Sequence, residues 1–404
     1  MNLMKLKRTY LFFVLIGLVF SQCTASKKAE ESAESPSGLE MAKRMADSEM
    51  VHFPKASTVD FNPEGKWSYT PGLVSMAMME IHAATGDDKY YEYAKGYADQ
   101  FINEEGVVTQ YKRSDFNIDN INSGKFLFDL YEKTGDERYK KAIFQLRDQL
   151  NDHPRTSEGG FWHKQRYPHQ MWLDGLYMGA PFYAEFGKTF GEPSAFDDVV
   201  NQFVTVHKHT YDPETGLNYH AWDESREQRW SDPETGQSPH FWGRAMGWYA
   251  MALVDVLDYI PSDHPGREDV MDILKEVAAG IKKFQDEETG LWYQVLDQGD
   301  REGNYLESSV SSMFTYTLLK ATRLNYIDQQ YRAVAERAYD GMLKNFIKEN
   351  ENGTISLTDV CSVAGLGGDP YRDGSYEYYI SEPVRDNDPK GVGPFILASL
   401  EMNK

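Results

Sequence analysis

Asp174 sits in the run Tyr167-Pro168-His169-Gln170-Met171-Trp172-Leu173-Asp174-Gly175-Leu176-Tyr177-Met178-Gly179, among mostly apolar and aromatic neighbours. A carboxylate in such a run is poorly hydrated, which disfavours its charged form and moves it toward the range of a general acid. The competing reading is a structural aspartate held by hydrogen bonds. A second carboxylate, Asp119 in Asp115-Phe116-Asn117-Ile118-Asp119-Asn120-Ile121-Asn122, is flanked by isoleucines, although this density of Asp and Asn also marks a helix start. Together they offer the pair that sugar chemistry commonly uses, one to deliver a proton and one to orient or stabilise.

A third segment, Ser238-Pro239-His240-Phe241-Trp242-Gly243-Arg244-Ala245-Met246-Gly247-Trp248, reads as a helix begun by Ser238 and Pro239. Arg244 and Trp248 then share a face, and Gly243 and Gly247 would let a ligand approach the backbone. An arginine beside tryptophan suits a uronic acid, the fork taking the carboxylate and the indole the ring. The alternative is a core helix whose glycines permit close packing. His163 in Phe161-Trp162-His163-Lys164 and His220 in Asn218-Tyr219-His220-Ala221-Trp222 stand in aromatic stretches, where a histidine can be structural or functional.

No HExxH, paired CxxC, GxGxxG or P-loop pattern occurs, so no cofactor or metal is expected. The formal net charge of -21 argues against nucleic acid as a partner. Aromatic residues make up 14% of the chain, with 26 Tyr and 8 Trp, a surplus suited to stacking on sugar rings. Residues 1–23 read as an export signal: Lys5, Lys7 and Arg8, then an apolar run from Tyr10 to Phe20, ending at Ser21-Gln22-Cys23. Cys23 resembles a bacterial lipidation site, with cleavage after Ala25 as the alternative. Residues 24–39 read as a flexible tether, and the export signal with Cys23 implies a protein outside the cytoplasm, in the periplasm or on the outer membrane, with the lipid as its only expected membrane contact. Cys361 reads as a buried structural thiol. A monomer or weak oligomer is expected.

These residues need elements to hold them. From about residue 40, apolar positions recur at three and four: Tyr90, Ala94, Tyr97, Phe101; Tyr139, Ile143, Leu146, Leu150; Tyr331, Val334, Ala338, Met342, Phe346. Thr85-Gly86-Asp87 and Thr134-Gly135-Asp136 each end one helix and cap the next. A second connector, glycine before a short aromatic or β-branched stretch, recurs near Gly106, Gly160, Gly216, Gly290 and Gly353. The unit is helix, tight turn, helix, long loop, repeated about six times. The expected fold is all-α, a single (α/α)6 barrel of six helical hairpins over residues 40–404 with short β pieces in the long loops; closure is favoured over an open solenoid because the intervals are irregular.

The segments Trp172 to Met178, Phe241 to Trp248 and Asp119 to Asn122 together resemble the unsaturated rhamnogalacturonyl hydrolases, glycoside hydrolase family 105. The resemblance extends from Trp67 to Gly365-Leu366-Gly367-Gly368 and to Asp386–Pro394. It implies a six-hairpin barrel acting on pectin lyase products that carry a 4,5-unsaturated galacturonic acid at the non-reducing end. It also implies hydration of the C4=C5 bond, with Asp174 as acid and then base, Asp119 as a second essential aspartate, and His163, His220, Trp242, Arg244 and Trp248 as substrate contacts. Tyr69, in Trp67-Ser68-Tyr69-Thr70-Pro71, is a further expected cleft residue. The rival readings are an unsaturated glucuronyl hydrolase acting on glycosaminoglycan or ulvan products, an N-acyl sugar epimerase, and a lipid-anchored glycan-binding protein.

Overall fold

The tight turns and the long loops fall at opposite ends of the helices, and this alternation organises the computed structural model, which describes residues 36–404. The export signal, Cys23 and most of the tether lie outside the described residues. In chain order the helices are α1 (Gly38–His52), α2 (Tyr69–Thr85), α3 (Asp88–Phe101), α4 (Phe126–Thr134), α5 (Glu137–Asn151), α6 (Leu173–Phe190) and α7 (Ser194–Thr210). They continue as α8 (Gly243–Val256), α9 (Arg267–Lys283), α10 (Ser308–Arg323), α11 (Gln330–Asn345), the short α12 (Tyr376–Ser381) and α13 (Pro389–Met402). A 3-10 segment, Ile118–Gly124, runs up to the start of α4.

Six helices pack side by side into a closed inner ring: α2, the 3-10 segment with α4, α6, α8, α10 and α13, which returns to α2. α3, α5, α7, α9 and α11 lie outside their preceding inner helices. The sixth pair is made by the two ends of the described region, α1 covering α13. The expected (α/α)6 barrel is thus the observed one, and the alternative of an open solenoid fails because the first and last helices meet.

Burial separates the layers. The outer helices are amphipathic, as their spacing predicts: α3 buries Tyr90, Ala94, Tyr97 and Phe101, and α5 buries Tyr139, Ile143, Leu146 and Leu150. Among the inner helices, α8 and α10 are buried all round. Every residue of α8 is buried, and so is all of α10 except Arg323. α10 manages this with a polar sequence because the hydroxyls of Ser311, Ser312, Thr315, Thr317 and Thr322 bond carbonyls one turn back, so no hydroxyl of this set is left without a partner.

The two connector types also behave as expected. Gly86 and Gly135 take left-handed conformations that stop α2 and α4, while Asp87 and Asp136 accept from Lys89 and Arg138 backbone N–H groups at the next helix. In the long loops Gly106, Gly159, Gly216, Gly290 and Gly353 all have φ between 78° and 88°. Four of these glycines turn a minimal hairpin or isolated bridge: Ile102 with Val108, Arg155 with Phe161, Tyr211–Asp212 with Leu217–Asn218, and Ile347–Glu349 with Ile355–Leu357. Because every inner helix follows a long loop, all six begin at the same end of the barrel.

Candidate active site

Asp174 is the second residue of α6, and strand pairing places its partner. Gln170–Trp172 pairs antiparallel with Ala221–Asp223, Trp172 opposite Ala221, and the Leu173 N–H donates to the His220 carbonyl at 3.0 Å. This zipping of two long loops sets His220 Nε2 3.3 Å from Asp174 Oδ2. Neither atom has a well-aligned hydrogen bond of its own. The other ring nitrogen, Nδ1, meets the Tyr379 hydroxyl at 2.8 Å. Tyr379 is fully buried, which pushes its hydroxyl well above the ordinary range and keeps it protonated.

Asp119 opens the 3-10 segment, whose first turn is capped by the Asn117 side chain accepting from the Asp119 N–H. His163 is delivered by backbone bonds on both sides: the Ile118 N–H donates to the His163 carbonyl, and the His163 N–H donates to the Gln170 carbonyl. The result is His163 Nε2 at 3.3 Å from Asp119 Oδ1 and an ion pair between Lys164 and Asp119 Oδ2. Burial alone would raise the Asp119 carboxyl, but Lys164, His163 and Arg166 outweigh it and hold it below its ordinary range. Burial drives His163 down to about 4 despite the pull of Asp119. A neutral His163 beside an ionised Asp119 therefore carries its proton on Nε2 and donates it.

The two corners share walls. His163 stacks on Trp172 at 4.6 Å between ring centroids with an interplanar angle of 8°, and Trp172 meets His220 edge-on at 5.3 Å. His220 continues to Trp242 at 4.8 Å, and Trp242 stacks on Tyr379 at 5.9 Å. Trp248 lies between Tyr177 (4.8 Å) and Tyr69 (6.2 Å), Tyr69 being the first residue of α2. The expected site residues Tyr69, Asp119, His163, Asp174, His220, Trp242, Arg244 and Trp248 therefore stand at one end of the barrel, at or beside the starts of inner helices. Helix N-termini carry unpaired N–H groups and partial positive charge, so six of them around one cleft favour an anionic ligand.

Arg244 is 1% exposed. Burial opposes its charge, but acidic groups around it, the buried carboxylates Glu307 and Asp388 among them, outweigh that and raise its pKa above the ordinary value. One arm donates to the Cys361 carbonyl, and its guanidinium carbon lies 4.9 Å over the Trp242 ring. Nε and Nη2 have no partner among the described residues. Two unused donors on a buried guanidinium are suited to a planar carboxylate. The cleft widens beyond Tyr69 and Asp119 into a cavity of about 590 Å³ also lined by Lys66, Asn120, Lys164 and Arg166.

Two sequence expectations are corrected here. Ser238 and Pro239 do not begin α8, which starts at Gly243; the Ser238 hydroxyl instead accepts from the Ala221 N–H at 3.1 Å. Gly243 and Gly247 do not open the backbone to a ligand. A Cβ at Gly243 would meet Val310 and the Tyr293 carbonyl, and one at Gly247 would meet Met313, so both serve helix packing against α10 and its preceding loop. The indole against Arg244 is Trp242. Sequence reasoning also passed over Tyr379, Lys164 as the Asp119 counterion, and Glu307, which accepts from the Cys361 N–H at 2.9 Å and so steadies the carbonyl that holds Arg244.

Comparison with known proteins agrees with this fold. The profile of Glycosyl Hydrolase Family 88 matches residues 41–404. A solved family 105 glycoside hydrolase from C. acetobutylicum ATCC 824 is 48% identical, superposes with a TM-score of 0.86, and covers 89% of this chain and 98% of its own. The unsaturated rhamnogalacturonyl hydrolase YesR of Bacillus subtilis (strain 168) is 27% identical over 284 residues, 68% of this chain and 77% of that protein. The unsaturated glucuronyl hydrolase of Bacillus sp. GL1 shares the fold at 16% identity, with a TM-score of 0.68 over 91% of this chain and 96% of its own. The chain belongs to Glycosyl Hydrolase Family 88 and is a glycoside hydrolase of the unsaturated-uronyl type, similar to the family 105 enzymes.

Proposed function

We propose that this enzyme releases the non-reducing-end 4,5-unsaturated galacturonic acid from rhamnogalacturonan lyase products by hydrating the C4=C5 double bond. The observation that carries the reading is a carboxylate, Asp174, whose Oδ2 faces only His220, in the same ring of helix starts as a buried arginine with two unused donors. Arg244 takes the uronate carboxylate and Trp242 backs the guanidinium. Asp174, protonated, gives its proton to C4, and positive charge develops at C5 and the ring oxygen. Asp119, held ionised, stabilises that charge and orients the ring. The Asp174 carboxylate then takes a proton from water as the water oxygen bonds to C5. The resulting hemiketal opens to a ketone at C5 and a hemiacetal at C1, which expels the neighbouring sugar. One water is consumed and one glycosidic linkage is lost.

The Bacillus subtilis relative supports rhamnogalacturonan as the source of substrate. An unsaturated glucuronic acid from glycosaminoglycan or ulvan products remains the second reading, because Arg244 and the two aspartates would serve it equally. Membership of a hydrolase family removes the purely glycan-binding alternative. The basic start, apolar run and Cys23 support export and lipid anchoring, which Cys23→Ala would abolish in a fatty-acid labelling experiment. The function is tested by offering unsaturated rhamnogalacturonan and glycosaminoglycan disaccharides and following the ultraviolet absorbance of the conjugated double bond. Faster loss with the first supports the reading; loss with neither overturns it.

A further inference from the structure

Two of the cations at the mouth of the cleft have no ion-pair partner, because the carboxylates there are paired by other residues. Lys164 is paired with Asp119. The other carboxylates lining the cavity are also answered: Asp60 by Arg385 at 3.2 Å and Lys390 at 3.5 Å, Asp115 by Lys112 at 3.2 Å. Lys66 and Arg166 line the same cavity, are exposed, and lie within ion-pair distance of no carboxylate among the described residues. Arg166 is fixed over the Tyr167 ring at 4.9 Å, and it lies near enough to Asp119 to help hold that carboxyl ionised. In a chain of formal net charge -21, two unanswered cations at the entrance of a sugar cleft call for an anion from outside.

Depth identifies which part of the substrate they meet. Arg244 and His220 are enclosed, at 1% and 0% exposure, whereas Lys66 and Arg166 stand at the open rim. A terminal uronate seated on Arg244 has to send its leaving group outward past Asp119. We propose that Lys66 and Arg166 form an anion-reading edge of the leaving-group subsite, so that the preferred substrate carries a second acidic group, a carboxylate or a sulfate ester, beyond the scissile bond. This rests on the unsaturated-uronide reading above. Side chains of Ser68, Asn117, Asn120 and Gln165 line the same wall and supply hydrogen bonds for the intervening sugar hydroxyls.

Binding to Asp174→Asn, with and without Lys66→Gln/Arg166→Gln, tests the proposal separately from turnover. Three ligands are titrated: unsaturated uronyl-rhamnose, the same disaccharide sulfated on rhamnose, and an unsaturated tetrasaccharide whose third sugar is galacturonate. Expected is a preference of roughly three- to tenfold for at least one acidic ligand over the neutral disaccharide. Added salt should weaken it, and the double substitution should bring the ratio toward one. Which acidic ligand wins tells sulfate from carboxylate. Equal binding of all three, or a preference that survives the double substitution, overturns the proposal. Binding of the acidic ligands with no double-bond consumption by the wild-type enzyme would sink the hydrolase reading and leave the rim standing; binding of none would sink both.

Discussion

Asp119 and Asp174 lie in one cleft, 13% and 15% exposed at their side chains, and their surroundings differ in kind. Asp119 is crowded by donors: Lys164 on one oxygen, His163 on the other, Arg166 nearby. Asp174 has a single neighbour of that type, His220, whose far nitrogen is tied to a tyrosine. The lesson is that the neighbours, more than burial, divide the labour. A carboxylate fixed by a lysine keeps its charge and serves as an electrostatic support; one that faces only an imidazole keeps its oxygens free to meet the substrate.

The comparison breaks outright if the two aspartates are interchangeable. Asp174→Asn should cost about 10²–10⁴-fold in kcat with the fold retained, because an amide can neither give the proton nor activate water. Rates and a thermal melt check this, and near wild-type turnover would reject the assignment. Arg244 belongs to neither corner, so Arg244→Gln should raise KM by about 10–100-fold with a smaller change in kcat, as expected for lost carboxylate binding.

Smaller changes sharpen the contrast. Lys164→Met removes the cation that lowers the Asp119 carboxyl, so that group should titrate at higher pH and the acid limb of kcat/KM should move upward, with roughly tenfold lost near neutrality. Movement of the alkaline limb instead would make Asp119 the proton donor. Tyr379→Phe should lower kcat by roughly three- to tenfold at constant KM, since His220 loses the hydroxyl that holds its ring toward Asp174. A stability loss of about 1–3 kcal/mol with kcat unchanged would make Tyr379 merely structural.

Acid tests the Asp119 corner through stability. Burial lowers the folded-state pKa of His163, and of His153 at the Trp162 carbonyl, to about 4 from the ordinary 6.5. The unfolded chain binds these protons first, so their stabilisation is complete above 6.5 and is lost as pH falls from 6.5 toward 4. Tm should drop between about pH 7 and about pH 5, and His153→Gln should flatten that slope.

Much of this was legible in the sequence because it is local. Helix faces such as Tyr90–Phe101, the turn glycines and the aspartate inside an apolar run each announce themselves within a dozen residues. What stayed hidden is long-range or inverted in sign. Tyr379 and His220 are 159 residues apart and share no spacing signal. Lys164 adjoins His163 in sequence, but nothing there says that its ammonium turns to Asp119. α10 reads as polar and is almost wholly buried, since its hydroxyls bond their own helix. Gly243 and Gly247 looked like a ligand's approach and prove to be another helix's.

The central claim is that the double bond, rather than the glycosidic bond, is the target of Asp174. It is tested most directly by following the conjugated-bond absorbance and the released neighbouring sugar in one sample from the first turnovers. Expected is loss of absorbance at least as fast as sugar release, with both slowed together in Asp174→Asn. Release of the sugar while the absorbance persists would contradict it.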